Sequence, residues 1–93
     1  MSKPKIIKDL KTKNPNIKSE DLEKIFDLFL EEIIETLLNK KSIEIRSFGT
    51  FFVKEIKEKF SARNPKSGEL IYVPKKNKVR FRASKKFKQF LNQ

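Results

Sequence analysis

Arg63-Asn64-Pro65-Lys66-Ser67-Gly68 is a basic turn set between two long runs in which apolar and polar residues alternate. Gly68 is one of only two glycines in the 93 residues, so turn-forming freedom is concentrated here. Proline fixes its own φ and glycine accepts the positive φ that a tight turn needs. The other glycine lies in Ser47-Phe48-Gly49-Thr50-Phe51, where the runs begin. The pattern predicts a hairpin with strands from Phe51 to Phe60 and from Leu70 to Arg82. At roughly 3.3 Å per residue, strands of about ten residues reach about 30 Å. Near the base the runs keep an apolar face (Phe51, Val53, Val79, Phe81); farther out they read mainly Lys, Glu and Ser. A two-stranded ribbon with so little core is marginal alone in water, which predicts an arm that is flexible until it grips something.

Upstream, Ile43-Glu44-Ile45-Arg46 alternates as a half-buried strand, with Ile43 and Ile45 inward and Glu44 and Arg46 outward. Before it the period is helical. Ser2 and Pro4 open a short amphipathic helix with Ile6, Ile7 and Leu10 on its apolar side, and Asn14-Pro15-Asn16 breaks it. Ser19 is the expected N-cap of a long helix to about Asn39, with Glu20, Asp21 and Glu23 in its first turn, where the helix dipole favours negative charge. Its apolar positions include Ile25, Phe26, Phe29, Leu30, Ile33 and Leu37, a stripe wider than a small sheet can cover. An ordinary core helix is one reading; a helix shared with a second chain is the favoured one. Ser84 is placed to cap a last helix, with Lys85, Lys86 and Lys88 on one side and Phe87, Phe90 and Leu91 on the other.

At 93 residues the chain is a single domain near the lower limit for a self-sufficient core. Its expected parts are a helical portion (1–40), a sheet with its arm (41–82) and a C-terminal helix (83–93). The formal net charge is +11, unevenly spread. Residues 1–53 hold 10 Lys/Arg against 9 Asp/Glu, whereas residues 54–93 hold 13 against 3. Lys54, Lys57, Lys59, Arg63, Lys66, Lys75, Lys76, Lys78, Arg80 and Arg82 line the ribbon, interrupted by Glu55, Glu58 and Glu69. Edge strands carry lysine against aggregation, but that protection needs a few charges, not ten. The concentration points to a polyanion, bound through phosphate contacts that supply affinity without reading sequence.

The chain has no cysteine and no histidine, which removes disulfides, thiolate chemistry and the commonest general base and metal ligand. No glycine-rich phosphate loop or nucleophile–base set is present, so neither an enzyme nor a metal, cofactor or small-molecule substrate is expected. Residues 1–10 do not read as a signal peptide, and no run approaches membrane-spanning length. Membrane-surface binding is disfavoured because the cations lie on strands rather than on an amphipathic helix with aromatic anchors. Apolar side chains pushed between base steps unstack and kink a duplex, and the rigid ring of Pro65 at a cationic tip suits that role; ordinary turn chemistry is the competing explanation.

Ile43-Glu44-Ile45-Arg46-Ser47-Phe48-Gly49-Thr50-Phe51, the Arg63–Gly68 tip, and Phe81 with Lys85 and Lys88 together resemble the HU/integration host factor family of bacterial histone-like proteins. The resemblance runs over essentially the whole chain, and Glu44-Ile45-Arg46 is more similar to the integration host factor beta subunit than to a general HU protein. It implies an α+β fold: an intertwined homodimer or heterodimer with a related subunit, whose helical body and small antiparallel sheet extend into two ribbon arms around double-stranded DNA. Minor-groove architectural proteins, this family among them, bend DNA by such wedges. The resemblance makes Pro65 the wedge and places Arg63 and Asn64 in the minor groove, with Lys66 and Ser67 completing the tip. Lys3, Ser84, Lys85, Lys86 and Lys88 would meet flanking phosphates. Arg46 would lie near the minor groove, positioned by Glu44, although an ion pair between those two is an equal reading. Phe48, Phe51 and Phe81 would join the helical stripe at the dimer interface.

The sequence departs from the family pattern at Ser47 and Ser84, where glycine is usual, and at Val79, where proline is common. The implied setting is the nucleoid of the bacterial cytoplasm, and the implied role is DNA bending or compaction with weak or moderate site preference. The runner-up is a structured-RNA-binding basic protein, although the wide, shallow A-form minor groove suits a narrow wedge less well.

Overall fold

A proline two residues into the chain's first helix costs nothing, because its missing N–H would have had no intrahelical partner. The computed structural model, which describes the backbone of residues 1–93 and every side chain except those of Ser61 and Ala62, opens accordingly with α1 (Lys3–Lys13), Pro4 in its first turn. Ser2 stands at the cap position in extended conformation without a side-chain cap bond. At the other end the Asn14 amide Nδ2 donates to the Leu10 carbonyl at 3.0 Å. Lys11 then ties down the following turn, its Nζ donating to the carbonyls of Pro15 (2.9 Å) and Ile17 (2.7 Å).

α2 (Ser19–Leu38) begins one residue earlier than its cap signal suggests. The Lys18 carbonyl accepts the first helical hydrogen bond, from Leu22 N–H at 3.0 Å, so Lys18 holds the cap position and Ser19 is the first helical residue. The helix ends in a Schellman motif. Lys40 takes φ +57, with Lys40 N–H bonded to the Leu37 carbonyl and Lys41 N–H to the Thr36 carbonyl. Residues 1–35 and 36–93 form two compact units. In the first, Ile7 and Leu22 are buried, and no other apolar residue is buried among the described residues.

The second unit is built on β1 (Ile43–Ile45), β2 (Gly49–Ile56), β3 (Lys59–Arg63), β4 (Leu70–Val73), β5 (Lys76–Ala83) and α3 (Lys85–Leu91). β1, β2 and β5 make an antiparallel three-stranded sheet with β2 in the middle, while β3 and β4 make a separate two-stranded hairpin. The expected continuous strands are therefore each broken, at Lys57-Glu58 and at Pro74-Lys75. Pro74 has no N–H to offer the ladder, and the pairing stops on either side of it. The arm is a base and an outer hairpin rather than one ribbon about 30 Å long. Within the hairpin Lys59 pairs with Val73 and Arg63 with Leu70, leaving one extra residue on β3, a β-bulge.

The two glycines serve different needs. A Cβ on Gly49 would lie 2.4 Å from the Arg82 carbonyl oxygen and 2.6 Å from the Phe81 ring, so close cross-strand packing requires glycine there. Gly68 has open space around it but φ +74, so backbone conformation is the reason. Ser47, where the family pattern has glycine, takes φ +67. That conformation is one an L side chain occupies only at a cost.

Candidate nucleic-acid interface

Side chains alternate across a strand, so the pairing register of β2 with β5 sorts the base of the arm into two faces. One face carries Phe51 opposite Phe81 and Val53 opposite Val79. The other carries Thr50 opposite Arg82, Phe52 opposite Arg80, Lys54 opposite Lys78 and Ile56 opposite Lys76. Five cations thus share one face of a sheet, and two of them, Lys54 and Lys78, stand directly across from each other. Like charges in that position destabilise an antiparallel pair. Arg82 lies over the Phe52 ring at 5.3 Å from its centroid, so the aromatic positions the guanidinium.

The apolar face anchors this sheet. Phe48, Phe51, Phe81 and Phe87 form a ring cluster, with centroids 4.8 Å apart for Phe51–Phe81, 5.1 Å for Phe48–Phe81 and 5.3 Å for Phe48–Phe87. Phe87 brings α3 into it, a role the alternation of the strands could not reveal because Phe87 follows them. Ser84 caps α3 as expected, its Oγ accepting from Phe87 N–H at 3.0 Å, while Ser84 N–H bonds to the Phe48 carbonyl at 2.9 Å. Serine in place of glycine therefore fixes the helix start on the sheet and leaves Lys85, Lys86 and Lys88 exposed. Lys86 lies 6.0 Å from the Phe90 ring centroid.

Asn64 builds the tip. Its N–H bonds to the Glu69 carbonyl and its own carbonyl accepts from Gly68 N–H, both at 2.7 Å. Its Oδ1 accepts from Lys66 N–H at 2.9 Å. That oxygen is thereby committed to the turn. Ser67 Oγ accepts from Glu69 N–H at 3.3 Å, while Arg63, Pro65 and Lys66 are exposed around the turn. The result is a hydrogen-bonded turn that carries the Pro65 ring with cations beside it.

Not every candidate cation is unengaged. Lys3 Nζ pairs with Asp27 at 2.7 Å and Glu23 at 3.4 Å. The Asp27 hydrogen bond holds the Lys3 ammonium above its ordinary value, opposed by partial desolvation. Glu55 accepts from Lys40 at 2.7 Å, and Lys75 stands 3.9 Å from the same oxygen. The Lys40 hydrogen bond, with the positive charge of Lys40 and Lys75, holds the Glu55 carboxyl below its ordinary value. Glu55 looked like an interruption of the basic run; the structure makes it the tie between the end of α2 and the arm. Glu44 and Arg46 are both exposed and form no ion pair with each other. Lys57 and Lys76, with Lys54, Lys59, Lys78, Arg80 and Arg82, are exposed along the arm.

The α2 stripe meets little within the chain. Ile25 is 60% exposed, Phe29 48% and Leu30 37%, while Phe26, Ile33 and Leu37 are half-buried. Among the described residues no helix is long and apolar enough to cross a membrane, and no group of three acidic side chains could hold a metal ion.

A cationic sheet face continued into a basic tip defines a protein that binds a polyanion. Residues 1–92 match the family described as bacterial DNA-binding protein, and the chain belongs to that family. It is 37% identical over 89 residues to the integration host factor subunit beta of Dichelobacter nodosus, covering 96% of this chain and 92% of that one. It is 35% identical over 92 residues to the same subunit of Histophilus somni, covering 99% and 97%. Among solved structures it is similar to Anabaena HU in a cocrystal with DNA, with TM-score 0.80 and 25% identity, covering 98% of this chain and 97% of that one. A mutant HU from Thermotoga maritima shares the fold at TM-score 0.69 and 24% identity, covering 98% and 99%. The α+β class and the resemblance to HU and integration host factor therefore hold.

Proposed function

We propose that this chain is an architectural protein that acts as a dimer, with a second copy or a related subunit, to clasp and bend double-stranded DNA. The observation that carries the reading is the cationic face of β2 and β5. Lys54 and Lys78 are held opposite each other at a cost to the free protein, which phosphates would offset. Salt-dependent, sequence-tolerant affinity follows from that face together with Lys57, Lys59, Lys75 and Lys76. Pro65 is the wedge, Arg63 and Asn64 enter the minor groove beside it, and Lys66 and Ser67 complete the tip. Lys85, Lys86 and Lys88 take flanking phosphates, as Lys3 does once it leaves Asp27. Arg46 is placed to meet the groove near the body.

The dimer reading draws on the exposed stripe of α2. A lone subunit with Ile7 and Leu22 as its buried apolar residues has little to set against the entropy of folding. Ile25, Phe26, Phe29, Leu30, Ile33 and Leu37 supply the missing apolar area when a partner covers them, and Phe48, Phe51 and Phe81 add to the interface. DNA is favoured over RNA because both the family description and the cocrystal of the Anabaena relative name DNA. The role is structural, with no catalytic step, and the setting is the bacterial nucleoid.

Energy transfer between dyes on the ends of a duplex tests the wedge. Pro65→Ala should lengthen the end-to-end distance of bound DNA while low-salt affinity changes little. Equal distances for parent and variant would remove the wedge from the mechanism.

A further inference from the structure

The outer hairpin carries an aromatic pair that none of the functions above uses. Phe60 on β3 and Tyr72 on β4 lie side by side, with ring centroids 5.3 Å apart and planes tilted by 36°. Both are open to solvent, Phe60 at 77% and Tyr72 at 55%. The bulge in β3 lies in the segment that holds Phe60, and bulges re-aim side chains. Large exposed rings on a short hairpin are a liability unless they meet something. Cations surround them in sequence: Lys59 precedes Phe60, Arg63 follows it by three residues, and Lys75 and Lys76 follow Tyr72 by three and four. Flat rings set among cations are the elements with which proteins hold single-stranded nucleic acid. Every base has a π-face to stack, while lysine and arginine follow the phosphates.

We propose that Phe60 and Tyr72 form a stacking platform for unpaired bases, so that the arm binds single-stranded as well as double-stranded DNA. The proposal deepens the DNA-binding reading and rests on it for the arm's general affinity. In intact duplex the bases are stacked on each other, and the rings have no base face to meet. Where strands are open, a base can lie on the ring pair with its phosphate beside Lys59 or Lys75. Charge complementarity chooses this occupant over a protein partner, since the hairpin's surroundings are strongly cationic.

The pair could instead serve only to hold β3 against β4, since cross-strand aromatic pairs stabilise short hairpins. The test is built to separate the two roles. Tyr72 is the one tyrosine and the chain has no tryptophan, so intrinsic fluorescence reports on this site alone. Titrating the full-length protein with a thymidine oligonucleotide should quench that emission. A variant with both Phe60→Leu and Tyr72→Leu keeps apolar bulk in the hairpin and removes the flat rings. Its affinity for the same oligonucleotide, followed by a dye on the DNA, should fall about 5- to 160-fold, the range for losing one stacked base. Its affinity for an intact duplex and the bend it produces should stay within about twofold of the parent, since the phosphate contacts that carry duplex binding are untouched. Absence of Tyr72 quenching, or an equal affinity loss on both DNAs, overturns the platform and leaves duplex binding standing. A parent protein that neither binds nor bends the duplex overturns the broader reading instead.

Discussion

Helix α2 and the arm present opposite surfaces to solvent, and each names a different partner. Along α2 a set of large apolar residues stands exposed: Ile25, Leu28, Phe29, Leu30, Ile34 and Leu38. On one face of β2 and β5 cations are gathered instead, with Lys54 and Lys78 face to face. Apolar area is satisfied by another apolar surface of matching shape, which a second subunit supplies. Crowded positive charge is satisfied by a polyanion. The contrast teaches that a lone subunit is unfinished at both places, in two chemistries that do not substitute for each other.

The comparison breaks most visibly at α2. Phe29→Asp or Ile33→Asp sets a carboxylate in the shared apolar seam, where an unpaired buried charge costs about 3–5 kcal/mol. The variant should sediment as a monomer or lose its cooperative melting transition. Unchanged sedimentation and melting would mean the stripe is not an interface. The arm should answer through charge instead: Lys54→Ala with Lys78→Ala should flatten the plot of log affinity against log salt, by about 0.9 for each phosphate no longer neutralised. The same pair of substitutions should raise the stability of the free protein by about 0.2–1 kcal/mol, because the facing charges are gone. Affinity and stability moving together would sink the idea that this repulsion exists for DNA.

A smaller effect sharpens the account of how the sheet begins. Ser47→Gly relieves a non-glycine residue at φ +67 and should raise stability by roughly 1 kcal/mol, read from denaturant midpoints. The smallest concerns the tie between α2 and the arm. The Glu55 carboxyl is held below its ordinary 4.5, so its contribution is complete above that pH and is lost as pH falls through the lowered value. Glu55→Gln should therefore lower the melting temperature slightly at neutral pH and leave it unchanged in strong acid. The pair is exposed, which keeps the effect small.

Much of this was legible along the chain because the signals are local. The Ser84 cap, the break at Asn14, the Gly68 turn and the concentration of cations after residue 53 each depend on neighbours within a few positions. Ser19 misled for the same reason: a good capping residue stood next to the true cap, and the chain's path after Pro15 placed the first helical bond on the Lys18 carbonyl. The long ribbon misled because strand-forming residues stand on both sides of Pro74 although the ladder stops there. At the tip, the residue types pointed to a turn, but only the bonds of Asn64 show which of its atoms hold that turn together.

By itself the sequence determined the helices, the turn, the sign and location of the charge, and the excess of apolar residues on α2, since these follow from period, composition and short-range chemistry. Tertiary structure alone decided which cations share a sheet face, that Phe87 locks α3 into the ring cluster, that Glu55 ties the arm to the end of α2, and that Phe60 meets Tyr72. Each of those depends on strand register and on contacts between distant residues. No pattern along one strand contains the position of the strand beside it.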